Sequence, residues 1–126
     1  MNILDLLLNI DENKLKIPEK EVEIKRLSDI AGEKVIFKIQ AVNMDKYAEI
    51  AEQTQDDAGD VRVFTLIAGV KEPNLKNKNL MGKYGCITPK DLVKKLLLPG
   101  EITRIYNEIS HLSGFDVDAV TEVKNS

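Results

Sequence analysis

The amino-acid sequence predicts an α+β fold: a small antiparallel β-hairpin or sheet near the N-terminus, packed by a mostly helical C-terminal part. Three observations lead there. Val22, Ile24 and Leu27, and then Val35, Phe37, Ile39 and Ala41, alternate with polar residues at the period of a strand with one wet face. Two such runs joined by a short link read as a hairpin. A lone hairpin is marginal in water, so helices should cover its apolar face. From Thr88 to Phe115 the chain supplies them, as two helix signals with punctuation between and after.

In chain order, Asn2 caps a short helix in which Ile3, Leu4, Leu6, Leu7, Leu8 and Ile10 are apolar almost all round. A helix of about ten residues cannot stand alone in water and must dock. The expected cover is its own domain, with a partner or second subunit as the alternative. Residues 11–20 are charged, contain Pro18 and read as a connector. Residues 21–42 form the hairpin, with Ser28 to Glu33 as its turn, allowing one helical turn around Gly32. Residues 43–115 form the helical part. Asn43 caps a helix to about Gln55 with Met44, Tyr47, Ala48, Ile50 and Ala51 inward; residues 56–60 read as a polar loop.

The run from Val61 to Val70 is ambiguous. Val61 and Val63 hint at a strand, while Val61, Phe64, Ile67, Ala68 and Lys71 follow helical spacing with Asp60 as a good cap. Helix is the preferred reading, ended by Glu72-Pro73-Asn74. A short helix follows from Asn77 or Lys78 to Tyr84, closed by Gly85. Thr88, Pro89 and Asp91 then open a helix whose apolar face is Leu92, Val93, Leu96 and Leu97. Pro99-Gly100 marks a break. Ile102, Ile105, Tyr106, Ile109 and Leu112 form a second helix, with Gly114 placed for a left-handed cap and Phe115 able to fold back onto the helix end. Residues 116–126 read as a flexible tail.

The chain has 126 residues, one domain by length, with 43% hydrophobic and 31% charged residues, ordinary for a soluble globular protein. Aromatics are 5% and tryptophan is absent, so the core must be mainly aliphatic. No apolar run approaches the roughly 20 residues that span a membrane. The first 14 residues lack a basic leader and carry Asp5 inside the apolar run, unlike a signal peptide. A single cysteine, Cys86, excludes an internal disulfide framework and fits a reducing cytoplasm. The net charge of −3 argues against nucleic acid as the main partner. Residues 1–60 carry 14 acidic and 8 basic side chains, and residues 61–126 carry 7 and 10. That asymmetry either orients an approaching copy or partner, or is scatter on a solvated surface.

Candidate chemistry is thin. His111, the only histidine, sits where a cation suits a helix C-terminus. Cys86 has no base or cation beside it to stabilise a thiolate and reads as a small buried residue. One cysteine and one histidine build no usual zinc site. Asp56, Asp57 and Asp60 lack the ligand alternation and terminal glutamate of a calcium loop. The glycines are scattered, with no phosphate-cradling loop. Lys90, Lys94 and Lys95 suit phosphates, or a solvated face on which Asp91 pairs with Lys94 and Lys95. A helix–break–helix layout is also that of a DNA-reading motif, but the second helix offers the mixed face Glu101, Thr103, Arg104, Asn107 and Glu108. No catalytic, cofactor-binding or metal-ligating residue is assigned, and no cofactor is expected.

Taken as an ordered set, Val70-Lys71-Glu72-Pro73-Asn74-Leu75, Lys83-Tyr84-Gly85, Thr88 to Leu96, Leu98-Pro99-Gly100-Glu101-Ile102 and Ile109 to Phe115 carry a family resemblance. Val22, Lys25-Arg26-Leu27 and Phe37 fit the same layout. From about Glu21 to Asn125 the chain resembles the XkdN-like tail assembly chaperones of tailed phages and prophages of Gram-positive bacteria. The resemblance implies a non-enzymatic chaperone of the bacterial host cytoplasm, absent from the mature virion. It implies the tape measure protein as client and the tail tube protein as a further partner; self-association is left open. No partner-contacting residue is fixed by a motif. A cytoplasmic protein–protein adaptor and, behind it, a small nucleic-acid-binding regulator are the alternative readings.

Overall fold

A computed structural model describes residues 2–124. Asn125 and Ser126, the end of the expected tail, lie outside the described residues. The fold is α+β, with a three-stranded antiparallel sheet and seven α-helices among the described residues. The strands are β1 (Glu19–Glu23), β2 (Ile36–Gln40) and β3 (Val70–Glu72), in the order β1-β2-β3. Glu19 faces Gln40 and Val22 faces Phe37 across the first pair. Ile39 faces Val70 across the second, with an irregularity between Lys38 and Ile39. Period-2 alternation places Phe37 and Ile39 in the core and leaves Ile36 and Lys38 on the outer face.

Two strand expectations change. The link between β1 and β2 is a helix, α2 (Lys25–Ala31), not a turn, and Leu27 lies in it. Gly32 closes α2 with a left-handed φ of 78°. The chain from Val70 to Glu72 is a strand rather than the end of a helix. Three residues are too few for alternation to show; pairing with Ile39 decides their conformation.

The remaining helices are α1 (Ile3–Leu8), α3 (Met44–Thr54), α4 (Ala58–Gly69), α5 (Lys78–Lys83), α6 (Pro89–Leu96) and α7 (Pro99–Ser110). The caps explain their starts. Asn43, Asp57, Asn77 and Thr88 each accept a hydrogen bond from the backbone N–H three residues on, at the heads of α3, α4, α5 and α6. Asp57 thus starts α4 inside the stretch expected as a polar loop, and Asp60 falls in its first turn. Pro99-Gly100 opens α7 rather than forming the break. Proline suits the first helical position and pushes its predecessor out of the helical region, so the break is extended Leu97-Leu98.

The core is one cluster joining Ile24, Phe37, Ile39, Val63, Leu66, Val70, Leu92, Val93, Leu97, Ile102, Ile105 and Ile109. Helix α4 lies at its centre, touching α3, α6, α7 and β3. It is covered on so many sides that its buried residues are Val63, Thr65, Leu66 and Gly69, not the single stripe through Val61 and Phe64. In α3, Ile50 is buried as expected, while Met44 and Ala48 are exposed. Beyond α7 a wide turn, His111–Phe115, ends at Gly114 with φ 92°. Phe115 stacks edge-on against Tyr47 of α3, with ring centroids 5.4 Å apart, and lines a cleft with Tyr106, Asn107 and His111 at the end of α7. Val42 N–H donates to Ser113 Oγ at 2.9 Å and ties this turn to the end of the sheet.

One close approach fixes how α4 and α7 cross. A Cβ on Gly69 would lie 2.6 Å from Ile109 Cδ1, 2.8 Å from Cγ2 and 2.9 Å from Cγ1. Gly69→Ala should therefore destabilise the fold by about 1–3 kcal/mol through overpacking. Ile109→Val removes the nearest methyl. Urea unfolding of Gly69→Ala, Ile109→Val and the double variant should show the double less destabilised than the sum of the singles.

Candidate partner-binding surfaces

Two grooves open beside the core. The first, of about 510 Å³, runs between the β1–α2 junction and α7. Val22, Ile24, Leu98 and Ile105 give it apolar walls, and Gly100 leaves its rim low. Leu98 is 52% exposed, because the extended break that lets α7 start also turns this side chain outward. Its charged rim is largely paired within the fold. Arg26 Nη2 donates to Glu101 Oε1 at 2.8 Å and Nε to Glu101 Oε2 at 3.1 Å, a two-pronged contact across 75 residues of sequence. The same guanidinium caps α6 by donating to the Leu96 carbonyl at 2.7 Å. Glu101 Oε1 also accepts from Leu98 N–H at 2.8 Å at the head of α7. Lys20 pairs with Glu108, and Lys25 approaches Glu23 at 3.9 Å.

These contacts set the protonation of the rim. The hydrogen bond from Arg26 holds the Glu101 carboxyl below its ordinary range, against an opposing desolvation, with help from Leu98 N–H and the Arg26 charge. The hydrogen bond from Lys20 does the same for Glu108, again against desolvation.

The second groove, of about 470 Å³, lies between α3, α4 and the start of α6. Ile50, Phe64, Ile67, Ala68 and Pro89 line it, with Lys46, Lys76 and Lys90 against Glu49 among its charged residues. The acidic cluster has a structural use beside it. Asp57 caps α4, and Asp60 pairs with Lys90 at 3.0 Å. Lys94 and Lys95 make no ion pair with Asp91 among the described residues; both are exposed.

His111 is exposed and lines a small cleft with Tyr47, Tyr106 and Phe115. Cys86 is half-buried against the core, its thiol donating to the Tyr84 carbonyl at 3.5 Å. Among the described residues, no three His, Cys, Asp or Glu side chains gather as a metal site would require, and no helix is long and apolar enough to cross a membrane. The expected docking of the N-terminal helix on its own domain is absent. None of its residues is buried, and Ile3, Leu4, Leu6, Leu7, Leu8 and Ile10 are 47–72% exposed.

A family model described as phage XkdN-like tail assembly chaperone protein matches residues 4–125. The chain belongs to this family. The phage tail assembly chaperone is also similar to a solved structure, that of the protein yqbN: 27% identity and a TM-score of 0.64, over 80% of this chain and 90% of that one. No curated protein matches. The first groove occupies the stretch that carried the resemblance, with Leu98, Gly100 and Glu101 on one wall. The opposite wall, at Val22 and Arg26, has no local sequence signal linking it to α7, because the pairing exists only once the sheet is formed.

The Arg26–Glu101 contact makes acid stability a readout of this groove. A carboxyl whose folded pKa is lowered contributes stability that is full above its ordinary value of 4.5 and lost as the pH falls through the folded value. Glu101→Gln should lower the melting temperature at neutral pH. Thermal scans of both proteins from neutral to acid pH should converge, because the wild type loses the contribution that the variant already lacks.

Proposed function

We propose that this tail assembly chaperone is non-enzymatic and binds the tape measure protein in the host cytoplasm. It would keep that protein's apolar helical surface covered until tail tube subunits assemble around it, and stay out of the finished virion. The observation that carries the reading is the groove between the β1–α2 junction and α7. Its walls are aliphatic, and most of its rim charges are already satisfied by one another. A groove of that kind takes the apolar face of a helix without demanding a particular charge pattern. It suits a client that offers many similar apolar segments. It also gives phosphate no concentration of free cations to answer, which disfavours the nucleic-acid reading.

Leu98 is the residue to vary, since it is half out in solvent and its loss leaves the core intact. Co-expression of the wild-type chain with a tape measure fragment should raise the fragment's soluble fraction, and the two should co-purify. Leu98→Glu should fold normally and bind the fragment at least tenfold more weakly, about 1.4 kcal/mol, because a carboxylate would have to be desolvated against the client's apolar face. Failure of the wild type either to solubilise or to retain the fragment would refute the client assignment.

A further inference from the structure

We infer that the aromatic cleft between α3, the first turn of α4 and the C-terminal end of α7 is a second binding site, which takes an extended, proline-rich segment of a partner protein. The site is separate from the groove beside Leu98 and does not rest on the client assignment.

The cleft gathers what the chain has least of. The sequence holds three tyrosines, three phenylalanines and no tryptophan. The buried core uses one of these rings, Phe37. Three others, Tyr47, Tyr106 and Phe115, line a single opening of about 380 Å³ together with the only histidine, His111. That volume falls within the range of ligand pockets, roughly 300–1,000 Å³. Rings at a surface opening offer large contact area at little cost in side-chain entropy, and tyrosine is enriched where proteins bind.

The polar groups of the cleft are unanswered. The Tyr47 hydroxyl is buried with no hydrogen-bond partner. An unpaired buried hydroxyl costs free energy that a bound acceptor would return. Asn107 and Ser110, one turn apart on α7, also line the cleft and make no side-chain hydrogen bond among the described residues. No lysine, arginine, aspartate or glutamate lines it, so it is matched to neither a cation nor an anion. What it does match is a neutral segment that carries apolar rings and free carbonyls. A proline-rich extended helix is such a segment: it has no internal hydrogen bonds, and its carbonyls stand outward in a preordered chain that docks on aromatic-lined surfaces. An α-helical partner frees carbonyls only in its last turn.

Phe115 marks the place of the incoming ring. It meets Tyr47 edge-on at 5.4 Å yet is 66% exposed, on a turn that ends at the left-handed Gly114. A ring two-thirds in solvent gives way without disturbing the core. In the bound state a proline takes its place on the Tyr47 ring, and the uncovered Tyr47 hydroxyl donates to a carbonyl of the segment.

A capped proline decamer is the probe, with a capped glycine-serine peptide of equal length as control. Added to isotope-labelled full-length chain, the proline peptide should give saturable amide shifts centred on Tyr47, Tyr106, Asn107, Ser110 and His111, and the control none. Tyr47→Phe keeps the ring and removes only the hydroxyl. It should melt no lower than the wild type, yet bind the peptide about threefold or more weakly. Phe115→Ala should bind at least as tightly as the wild type, and Leu98→Glu equally well. The absence of saturable shifts, shifts centred elsewhere, or an equal response to the control would each overturn the inference. So would wild-type affinity in Tyr47→Phe, or weakened binding in Phe115→Ala or Leu98→Glu.

Discussion

Helix α4 ends on a glycine because α7 leaves room for nothing larger. Ile109 is wholly buried and its side chain fills the space that a Cβ on Gly69 would take. Glycine near a helix end costs backbone entropy, on the order of 0.5–1 kcal/mol. Full burial of an isoleucine is worth more, about 1.5–3 kcal/mol. The approach wins, and it has a second effect. The residue after Gly69 is Val70, which leaves the helix and pairs with Ile39 at the centre of the sheet. One small residue thus ends the central helix, seats the crossing helix and starts the third strand.

What remains outside that core follows from it. With α4 covered by α3, α6 and α7, both grooves form at the edges of the packed elements rather than through the middle. The groove beside α7 is held in shape by Arg26, which grips Glu101 and the Leu96 carbonyl at once. That contact fixes both sides of the helix break from a separate element, α2. A tail assembly chaperone built this way keeps its fold closed and offers apolar surface only at its margins.

Much of this was legible from residues alone where the signal is local. Caps at Asn43, Asn77 and Thr88, the apolar faces of α6 and α7, and the alternation around Phe37 all act within a few residues of themselves. The readings that changed depend on distant partners. Val70 to Glu72 reads as the end of a helix until Ile39 is beside it. Met44 belongs to an apolar pattern yet is 84% exposed, because nothing packs on that side of α3. Leu97-Leu98 is the break, two residues before the position the Pro-Gly pair suggests, because Pro99 opens α7 and holds its predecessor Leu98 extended. The groove itself was half legible. Its α7 wall lies in the most recognisable stretch of the chain, and its β1–α2 wall was placed only by the sheet.

The central claim is that a rigid α4–α7–sheet core carries its client at the edge beside α7. Amide hydrogen exchange, measured for the free chain and for the chain with a bound tape measure fragment, tests it most directly. Exchange should slow at Val22 to Arg26 and over the first turns of α7, and stay unchanged in β2 and α4. Faster exchange in β2 and α4 on binding, or protection that bypasses the groove beside α7, would contradict it.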